Sequence, residues 1–355
     1  MRALFTIFVS AAIALAAALP AAGQAAEPTS TLAPGLVNPG YEEAPKWFKE
    51  SFLDLREDVA EAKTAGRRLM LYFYQDGCPY CAKLLRENFR DQTIVGKTQQ
   101  HFDVIALNLW GDREVTDLAG RAMTEKQFAK SIGVQFTPTL LMLDESGDTA
   151  LRLNGYTPPH QFSAALDYVG QRLEKRQKFV DYLQANARDA ASGELHPQPW
   201  LLPSPLELDK RPKGDQRPLL VIFEQQVCAG CDEMHRESFP RPEVAKLLKR
   251  FRVARVDIAS RETLTTPGGK KLAMRDWARE ANVVYTPSFA FFAADGKNVL
   301  REVFRVEGYL RPFHLASSLD YVASGSYRKQ PEFQRYIEAR AAARRARGER
   351  VELMK

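Results

Sequence analysis

The chain has 355 residues, with 50 Lys or Arg, 44 Asp or Glu and a net charge of +6. This length predicts two domains. The basic excess lies in residues 326–355, which hold nine Lys or Arg and four Asp or Glu, so the rest of the chain is close to neutral and carries no strongly basic face. Four cysteines are too few to staple a chain of this length, which excludes a disulfide-rich scaffold.

The first 26 residues have the pattern of an export signal. Arg2 is followed by an apolar stretch over 3–19, and then by Pro20 and small residues through Ala26. A basic start, an apolar middle and small residues before a cut are typical of a signal peptide. We therefore expect a cleaved signal peptide over 1–26 and a periplasmic protein. An uncleaved membrane anchor is the alternative, although the apolar run is short for a bilayer.

The first domain is predicted over residues 44–180. Residues 27–43 are expected to be loosely attached. An amphipathic helix is expected over Trp47–Lys63. An apolar, β-rich run follows over Leu69–Tyr74 and ends shortly before Cys78.

Cys78-Pro79-Tyr80-Cys81 stands between this strand and a helical pattern. A Cys-x-x-Cys at such a junction is typical of a thiol–disulfide redox site. A helix N-terminus offers unpaired N–H groups and a partial positive charge, and both stabilise a thiolate. We therefore expect Cys78 to be the nucleophile and Cys81 to resolve the mixed disulfide. Pro79 falls at an early helical position, where its missing N–H costs little.

The motif returns 150 positions later as Cys228-Ala229-Gly230-Cys231, again after an apolar run, Leu219–Phe223. Here Cys228 is the expected nucleophile and Cys231 the expected resolving thiol. The repetition predicts a second domain over 215–325.

A Thr-Pro pair that opens an apolar strand is the second marker of the repeat. Thr137-Pro138 in the first half aligns with Thr286-Pro287 in the second. Because proline cannot donate to a strand ladder, each pair is expected as a cis-proline turn beside its own cysteine pair.

Residues 181–214 are predicted to be a Pro-rich linker, since Gly193–Pro218 contains six prolines and an extended, semi-rigid segment is typical of such composition. The apolar residues around Trp200 are expected to pack on one domain, with partner binding as the alternative. Residues 326–355 are expected to form a basic C-terminal helix or tail. Within it, residues 338–351 are predicted to be a solvated helix or a frayed end, with a patch for an anionic partner as the alternative.

Cysteine pairs also occur in zinc sites, in haem attachment and in structural disulfides. The two pairs lie too far apart for a compact zinc ribbon. Haem attachment needs a histidine after the second cysteine, but Ala82 and Asp232 follow. Purely structural disulfides remain open, more so for the second pair, although so short a loop stabilises a fold weakly.

The order of strand, CxxC, helix, strand, helix, Thr-Pro strand, hairpin and final helix resembles the thioredoxin fold. The first module, with Gly77 before its cysteine pair and Gly133 before its Thr-Pro strand, resembles the exported SoxW-like thioredoxins. The resemblance implies an α/β protein with two thioredoxin-like domains in tandem, each a central mixed β-sheet flanked by helices. It also implies redox CxxC sites, no metal or organic cofactor, and pairing of the backbone at Thr137 with a bound substrate strand.

Both modules depart from the thioredoxin pattern. The buried carboxylate of thioredoxin would fall six residues before the first cysteine, where Tyr72 and Ile222 stand, so that proton acceptor is absent. The second motif lacks a proline, and Glu224 lies four residues before it. His235 is expected to be a solvated helix residue.

The function expected from these features is that of an exported thiol:disulfide oxidoreductase that leans toward reduction. Its expected partners are exported thiol or disulfide proteins or small sulfur compounds, and a membrane thiol donor, with no nucleic acid. The alternative is a thioredoxin-fold binding or assembly module with structural, redox-inert disulfides. The positions expected to contact substrate are Pro79, Tyr80, Thr137, Pro138, Thr286 and Pro287.

Overall fold

The computed structural model describes residues 42–186, 191–295, 299–349 and 351. The predicted signal peptide lies outside these residues. Both modules belong to one compact unit, Asn38–Lys355. Within the described ranges, none of the helices has the length and apolar character needed to cross a bilayer.

The first module contains six helices and six strands in the described residues. In chain order they are α1 Leu55–Thr64, β1 Arg68–Tyr74, α2 Pro79–Glu87, α3 Gln92–His101, β2 Phe102–Asn108, β3 Glu114–Thr116, β4 Ala122–Thr124, α4 Glu125–Ser131, β5 Thr139–Leu143, β6 Thr149–Asn154, α5 Pro159–Gly170 and α6 Phe179–Asn186.

The second module repeats this order without a counterpart of α1. Its elements are β7 Leu219–Glu224, α7 Ala229–Glu233, α8 Pro242–Leu248, β8 Arg252–Asp257, β9 Thr263–Thr265, β10 Lys271–Ala273, α9 Met274–Glu280, β11 Ser288–Ala294, β12 Leu300–Glu307, α10 Pro312–Ala323 and α11 Phe333–Ala346.

Each module has a four-stranded mixed sheet, as predicted. The order is β2-β1-β5-β6 in the first and β8-β7-β11-β12 in the second. In both, the two leading strands are parallel and the other pairs are antiparallel. Each module also has a small two-stranded antiparallel hairpin, which is β3–β4 between β2 and α4 in the first and β9–β10 between β8 and α9 in the second.

Strand β1 shows why its sequence is apolar throughout. Side chains alternate between the faces of a strand. Met70 and Tyr72 face α2, α3 and α5, whereas Leu71 and Phe73 face α1 and α4. Because helices cover both faces, every position in the middle of the strand is buried.

The predicted first helix begins later than expected. It was placed over Trp47–Lys63, but α1 starts at Leu55, because Leu53 adopts a left-handed backbone with φ of 65° and Asp54 caps the helix through the Arg56 N–H. Trp47 packs against the core beside α2 instead.

The described part of the segment before the second module lies along that module. Leu201 bridges to Val253 and Glu207 bridges to Thr265. Leu206 and Leu208 are buried against β7 and α9, on the face that α1 covers in the first module. Trp200 packs on the other core of the second module, as expected for so apolar a residue.

Helix α11 docks on the second module mainly through residues that precede the stretch predicted to be solvated, 338–351. In the described part of that stretch most residues are exposed, and Ala341 is buried. Phe333, Ile337 and Ala341 are buried in the core of the second module. The basic side chains do not prevent this docking because Arg340 pairs with Glu243 and Asp320.

Candidate active site

Cys78 forms the N-cap of α2. Its sulfur lies 3.0 Å from the backbone nitrogen of Cys81, and Pro79 occupies the first turn. Gly77, with φ of 73°, makes the turn from β1 into the helix, where an L side chain would be strained. Cys78 and Cys81 are joined in a disulfide. After reduction, the Cys78 thiolate stands where the N–H groups of the helix start can donate hydrogen bonds to it, which stabilises the charged sulfur.

The Thr137–Pro138 bond is cis, as predicted, and it lies against this disulfide. The Thr137 carbonyl oxygen is 3.5 Å from the Cys78 sulfur, and the Thr137 hydroxyl oxygen is 3.4 Å from it. The structure therefore brings Thr137 and Cys78 together at one site.

The second module repeats the arrangement on a shorter helix. Cys228 caps α7, with its sulfur 3.0 Å from the Cys231 nitrogen, and the two form a disulfide. The Thr286–Pro287 bond is also cis, as predicted. A Cβ at Gly230 would lie 3.1 Å from Pro287 Cδ, so the cysteine loop approaches the cis-proline closely.

The expectation that His235 is solvated is wrong. His235 follows α7 in a π-helical turn, Met234–Ser238, and is buried. Its Nε2 lies 2.8 Å from Glu224 Oε1, and its Nδ1 lies 3.0 Å from the Gln198 amide nitrogen. The acidic side chain compensates the burial of the imidazole, a pairing that the helix pattern alone does not reveal.

The first module has no such pair. Tyr74 and Leu85 stand at the positions that match Glu224 and His235. Tyr72, where thioredoxin has its carboxylate, is buried, and burial raises the pKa of its hydroxyl far above the usual range.

Each module is covered by a helix from the other, which the sequence analysis missed. Gln75, three residues before Cys78, donates its amide N–H to Glu338 Oε1 on α11 at 3.0 Å. Its amide oxygen accepts from Trp110 Nε1 at 3.0 Å, and the Arg335 guanidinium stacks 4.6 Å from the Trp110 ring.

The reciprocal contact joins α6 to the second module. The amide of Gln184 on α6 bonds to Gln225, three residues before Cys228. The sequence contained the signal, because the repeat continues past residue 170: Phe179 and Tyr182 recur 154 positions later as Phe333 and Tyr336, and Gln184 matches Glu338.

Other contacts between the modules come from the residues that precede each Thr-Pro pair. Phe136 packs on Phe304 and Phe333 of the second module, with ring centroids 5.8 and 5.5 Å apart. Tyr285 reaches the backbone of Asn154 on β6 of the first module.

A cavity of about 300 Å³ lies between the modules. Its lining includes Cys78, Pro79 and Tyr80 from the first motif, and Ala229 and Gly230 from the second. A neighbouring pocket of about 260 Å³ is lined by Cys228, Thr286 and α6. We call the larger cavity the intermodule chamber.

The residues predicted to contact substrate divide between the two pockets. Pro79, Tyr80, Thr137 and Pro287 line the chamber, and Thr286 lines both pockets. Pro138 follows Thr137 in the cis turn, and its carbonyl oxygen accepts from the Gly155 N–H at 2.8 Å. Among the described residues, no cluster of three or more His, Cys, Asp or Glu side chains is placed to hold a metal ion.

Fold and site together define a thiol–disulfide oxidoreductase, because each module places a CxxC pair at a helix start. The chain belongs to the thioredoxin-like domain family, whose model matches residues 55–170 and 208–323, about two thirds of the sequence. The prediction of two thioredoxin-like domains in tandem is thus confirmed.

Several solved structures are similar to parts of this chain. A thioredoxin-fold protein from Helicobacter pylori is 25% identical over 36% of this chain and 86% of its own, with a TM-score of 0.29. A thioredoxin from Thermus thermophilus is 29% identical over 30% of this chain and 73% of its own, with a TM-score of 0.24. The DsbD C-terminal domain of Neisseria meningitidis is 16% identical over 30% of this chain and 83% of its own, with a TM-score of 0.22. No curated protein matches the chain.

Proposed function

We propose that the protein is an exported, periplasmic oxidoreductase that mainly reduces disulfides, through a mixed disulfide on Cys78. The observation that carries this proposal is the position of the Cys78 sulfur, at the start of α2 and within 3.5 Å of Thr137. A reduced Cys78 at this site attacks a disulfide, and Cys81 then releases the product. The reductase direction and the membrane thiol donor follow from the SoxW-like resemblance of the first module.

The direction is tested by the reduction potential of each cysteine pair. Related folds span ~150 mV, from about −270 mV in thioredoxin to about −120 mV in a strong oxidant. Equilibration of the full-length protein in buffers of reduced and oxidised glutathione, followed by mass spectrometry, gives both potentials. A value near that of thioredoxin for Cys78–Cys81 supports a reductase, whereas a value near the oxidising end contradicts it.

Export is tested by expressing the full chain in a Gram-negative host. We expect a periplasmic product whose N-terminus lies close to Glu27. Retention of residues 1–26 on a membrane-bound product would instead indicate an anchor.

A second candidate function is that of a binding module with structural disulfides, and the burial of the cysteines supports it. Cys78 and Cys228 are each only 3% exposed, as structural disulfides in a binding module would be. Mild reduction followed by a maleimide separates the two functions, since a redox site is labelled at Cys78 while the fold persists. Structural disulfides would resist reduction or would unfold the module when broken.

A further inference from the structure

The intermodule chamber contains the start of both CxxC helices and resembles a ligand pocket. Small-molecule sites commonly have volumes from about 300 to 1,000 Å³ and mainly apolar or aromatic walls. The chamber, at about 300 Å³, is walled by Phe136, Tyr156, Tyr285, Tyr309 and Phe333 beside the sulfur of the first module.

The second module closes the chamber opposite Cys78. Tyr80, between the two cysteines, packs edge-on against His314 of α10, with ring centroids 5.2 Å apart. Ile337 of α11 forms part of the wall and is buried. The bond between Gln75 and Glu338 ties α11 across the approach to the motif. An extended polypeptide would have to displace these elements to reach the sulfur.

The ionic side chains of the chamber are already paired within the protein. Arg311 binds Glu233 at 2.5 Å. Lys83 lies 4.3 Å from the Tyr156 ring centroid. Asn154 donates its side-chain N–H to Glu307, whose pKa is raised because its carboxyl is buried. A charged ligand would be desolvated here without a new partner, which is costly.

The geometry points to a substrate that is a neutral low-molecular-weight disulfide with an apolar or aromatic body, bound in the intermodule chamber. This inference rests on the proposed oxidoreductase function and specifies its substrate class. The neighbouring motif positions, Ala229 and Gly230, form the opposite wall, so each half of the substrate disulfide lies against one module.

The reaction is balanced with a dithiol as the electron source. The Cys78 thiolate attacks one sulfur of the substrate, which breaks its S–S bond, forms a mixed disulfide and expels one thiolate. The Cys81 thiolate then attacks the Cys78 sulfur and expels the second. Two electrons pass from the cysteine pair to the substrate, and the two protons lost by the cysteine thiols go to the two released thiolates. An external dithiol restores the reduced pair by the same exchange.

The test uses the full-length protein with Cys228→Ala and Cys231→Ala, pre-reduced, freed of reductant and mixed with one of three oxidants. These are a neutral dibenzyl disulfide, glutathione disulfide and insulin, and each rate is divided by that of dithiothreitol with the same oxidant. The neutral disulfide should give the highest normalised rate. Equal or higher normalised rates for insulin or glutathione disulfide would overturn the inference.

Two variants locate the reaction. Ala229→Trp fills the chamber from the second module, and Gln334→Trp fills it from α11 if the first variant folds poorly. Each variant should slow the reduction of the neutral disulfide at least about fivefold. The reduction potential of the Cys78–Cys81 pair should stay unchanged, since neither side chain belongs to that pair. An unchanged rate in a folded variant overturns the inference.

Glu338→Ala breaks the bond that ties α11 to Gln75. Loss of one hydrogen bond should favour the open form roughly fivefold and raise the insulin rate by the same factor. The rate with the neutral disulfide should stay within about twofold. Arg345→Ala, at an exposed position of α11, is the matched control and should change neither rate. An insulin rate that does not rise in Glu338→Ala contradicts the inference. Failure of all three oxidants would instead reject the proposed function itself, and the substrate assignment with it.

Discussion

Tyr285 of the second module and Asn154 of the first exchange two hydrogen bonds across the module boundary. The Tyr285 hydroxyl donates to the Asn154 carbonyl oxygen at 2.6 Å and accepts from the Asn154 N–H at 3.1 Å. Burial raises the pKa of this hydroxyl well above its usual value, so it stays protonated. Tyr285, beside the cis-proline of the second module, thus holds β6, the edge strand of the first module.

Tyr285→Phe should therefore destabilise the protein. The change leaves the N–H and carbonyl of Asn154 without their partner, and an unsatisfied buried group costs about 1 to 3 kcal/mol. Urea denaturation followed by circular dichroism measures the free energy of unfolding.

Tyr327→Phe is the control for this prediction. The Tyr327 hydroxyl accepts only a surface contact from Arg328 Nε, so its loss should stay within about 0.5 kcal/mol. Equal, small effects for both tyrosines would show that the boundary does not depend on Tyr285.

The repeat made the two modules predictable, because collinear markers such as Cys78 with Cys228 and Pro138 with Pro287 identify the same fold twice. The covering of each site by α6 or α11 was not predicted. The bond that ties α11 to the first module joins Gln75 and Glu338, which are 263 positions apart in sequence. The hydrophobic periodicity of a single helix or strand carries no information about a contact of that kind.

The charge pattern did not reveal how α11 docks, for a related reason. A run rich in Arg normally indicates a solvated helix. Here the acidic partners of Arg340 and Arg344 lie on α8 and α10 of the second module, and only the tertiary structure brings them together. His235 was misjudged in the same way, since its partner Glu224 lies on a strand.

The cysteines of the first module should have unequal roles. Cys78→Ser should abolish disulfide reduction by that module, because the sulfur at the helix start is the nucleophile. Cys81→Ser should retain attack and accumulate mixed disulfides with substrate, which mass spectrometry detects. Equal and full activity of both variants would exclude the mechanism.

These experiments require that the second cysteine pair, Cys228 and Cys231, be inactivated in the full-length chain. Isolated halves would be poor reagents, because each loses the covering helix that the other supplies. We therefore propose to combine each serine variant with Cys228→Ala and Cys231→Ala. The reverse set, with Cys78 and Cys81 replaced by alanine, tells whether the second pair exchanges disulfides on its own. We expect that it does, and no exchange at any glutathione ratio would make the second module a binding domain.

The buried pair of Glu224 and His235 should stabilise the second module. His235→Leu, which copies Leu85 of the first module, leaves Glu224 buried without its partner. The expected loss in free energy of unfolding is at least about 1 to 3 kcal/mol. The double variant Glu224→Leu/His235→Leu should lose less than the sum of the two single variants, since it leaves neither partner unpaired. Additive losses in a double-mutant cycle would show that the two side chains are not coupled.

Acidification should weaken the contact between the modules through His314. Burial of its imidazole against Tyr80 lowers the pKa of His314 to about 4, from an ordinary value of 6.5. Between about pH 6.5 and pH 4, His314 therefore binds a proton in the unfolded chain but not in the folded chain. The free energy of unfolding falls as the pH drops through that window. At about 1.4 kcal/mol per pKa unit, the loss approaches roughly 3 kcal/mol near pH 4.

His314→Gln tests this dependence, because glutamine stands at the matching position of the first module, Gln161, and does not titrate. Carboxylates also titrate below pH 5, so the informative quantity is the difference in unfolding free energy between His314→Gln and the unaltered protein at each pH. That difference should shift in favour of the variant as the pH falls from 7 to 4. His160→Gln, at an exposed position of α5, is the control, and a parallel response of the two variants would remove His314 as the cause.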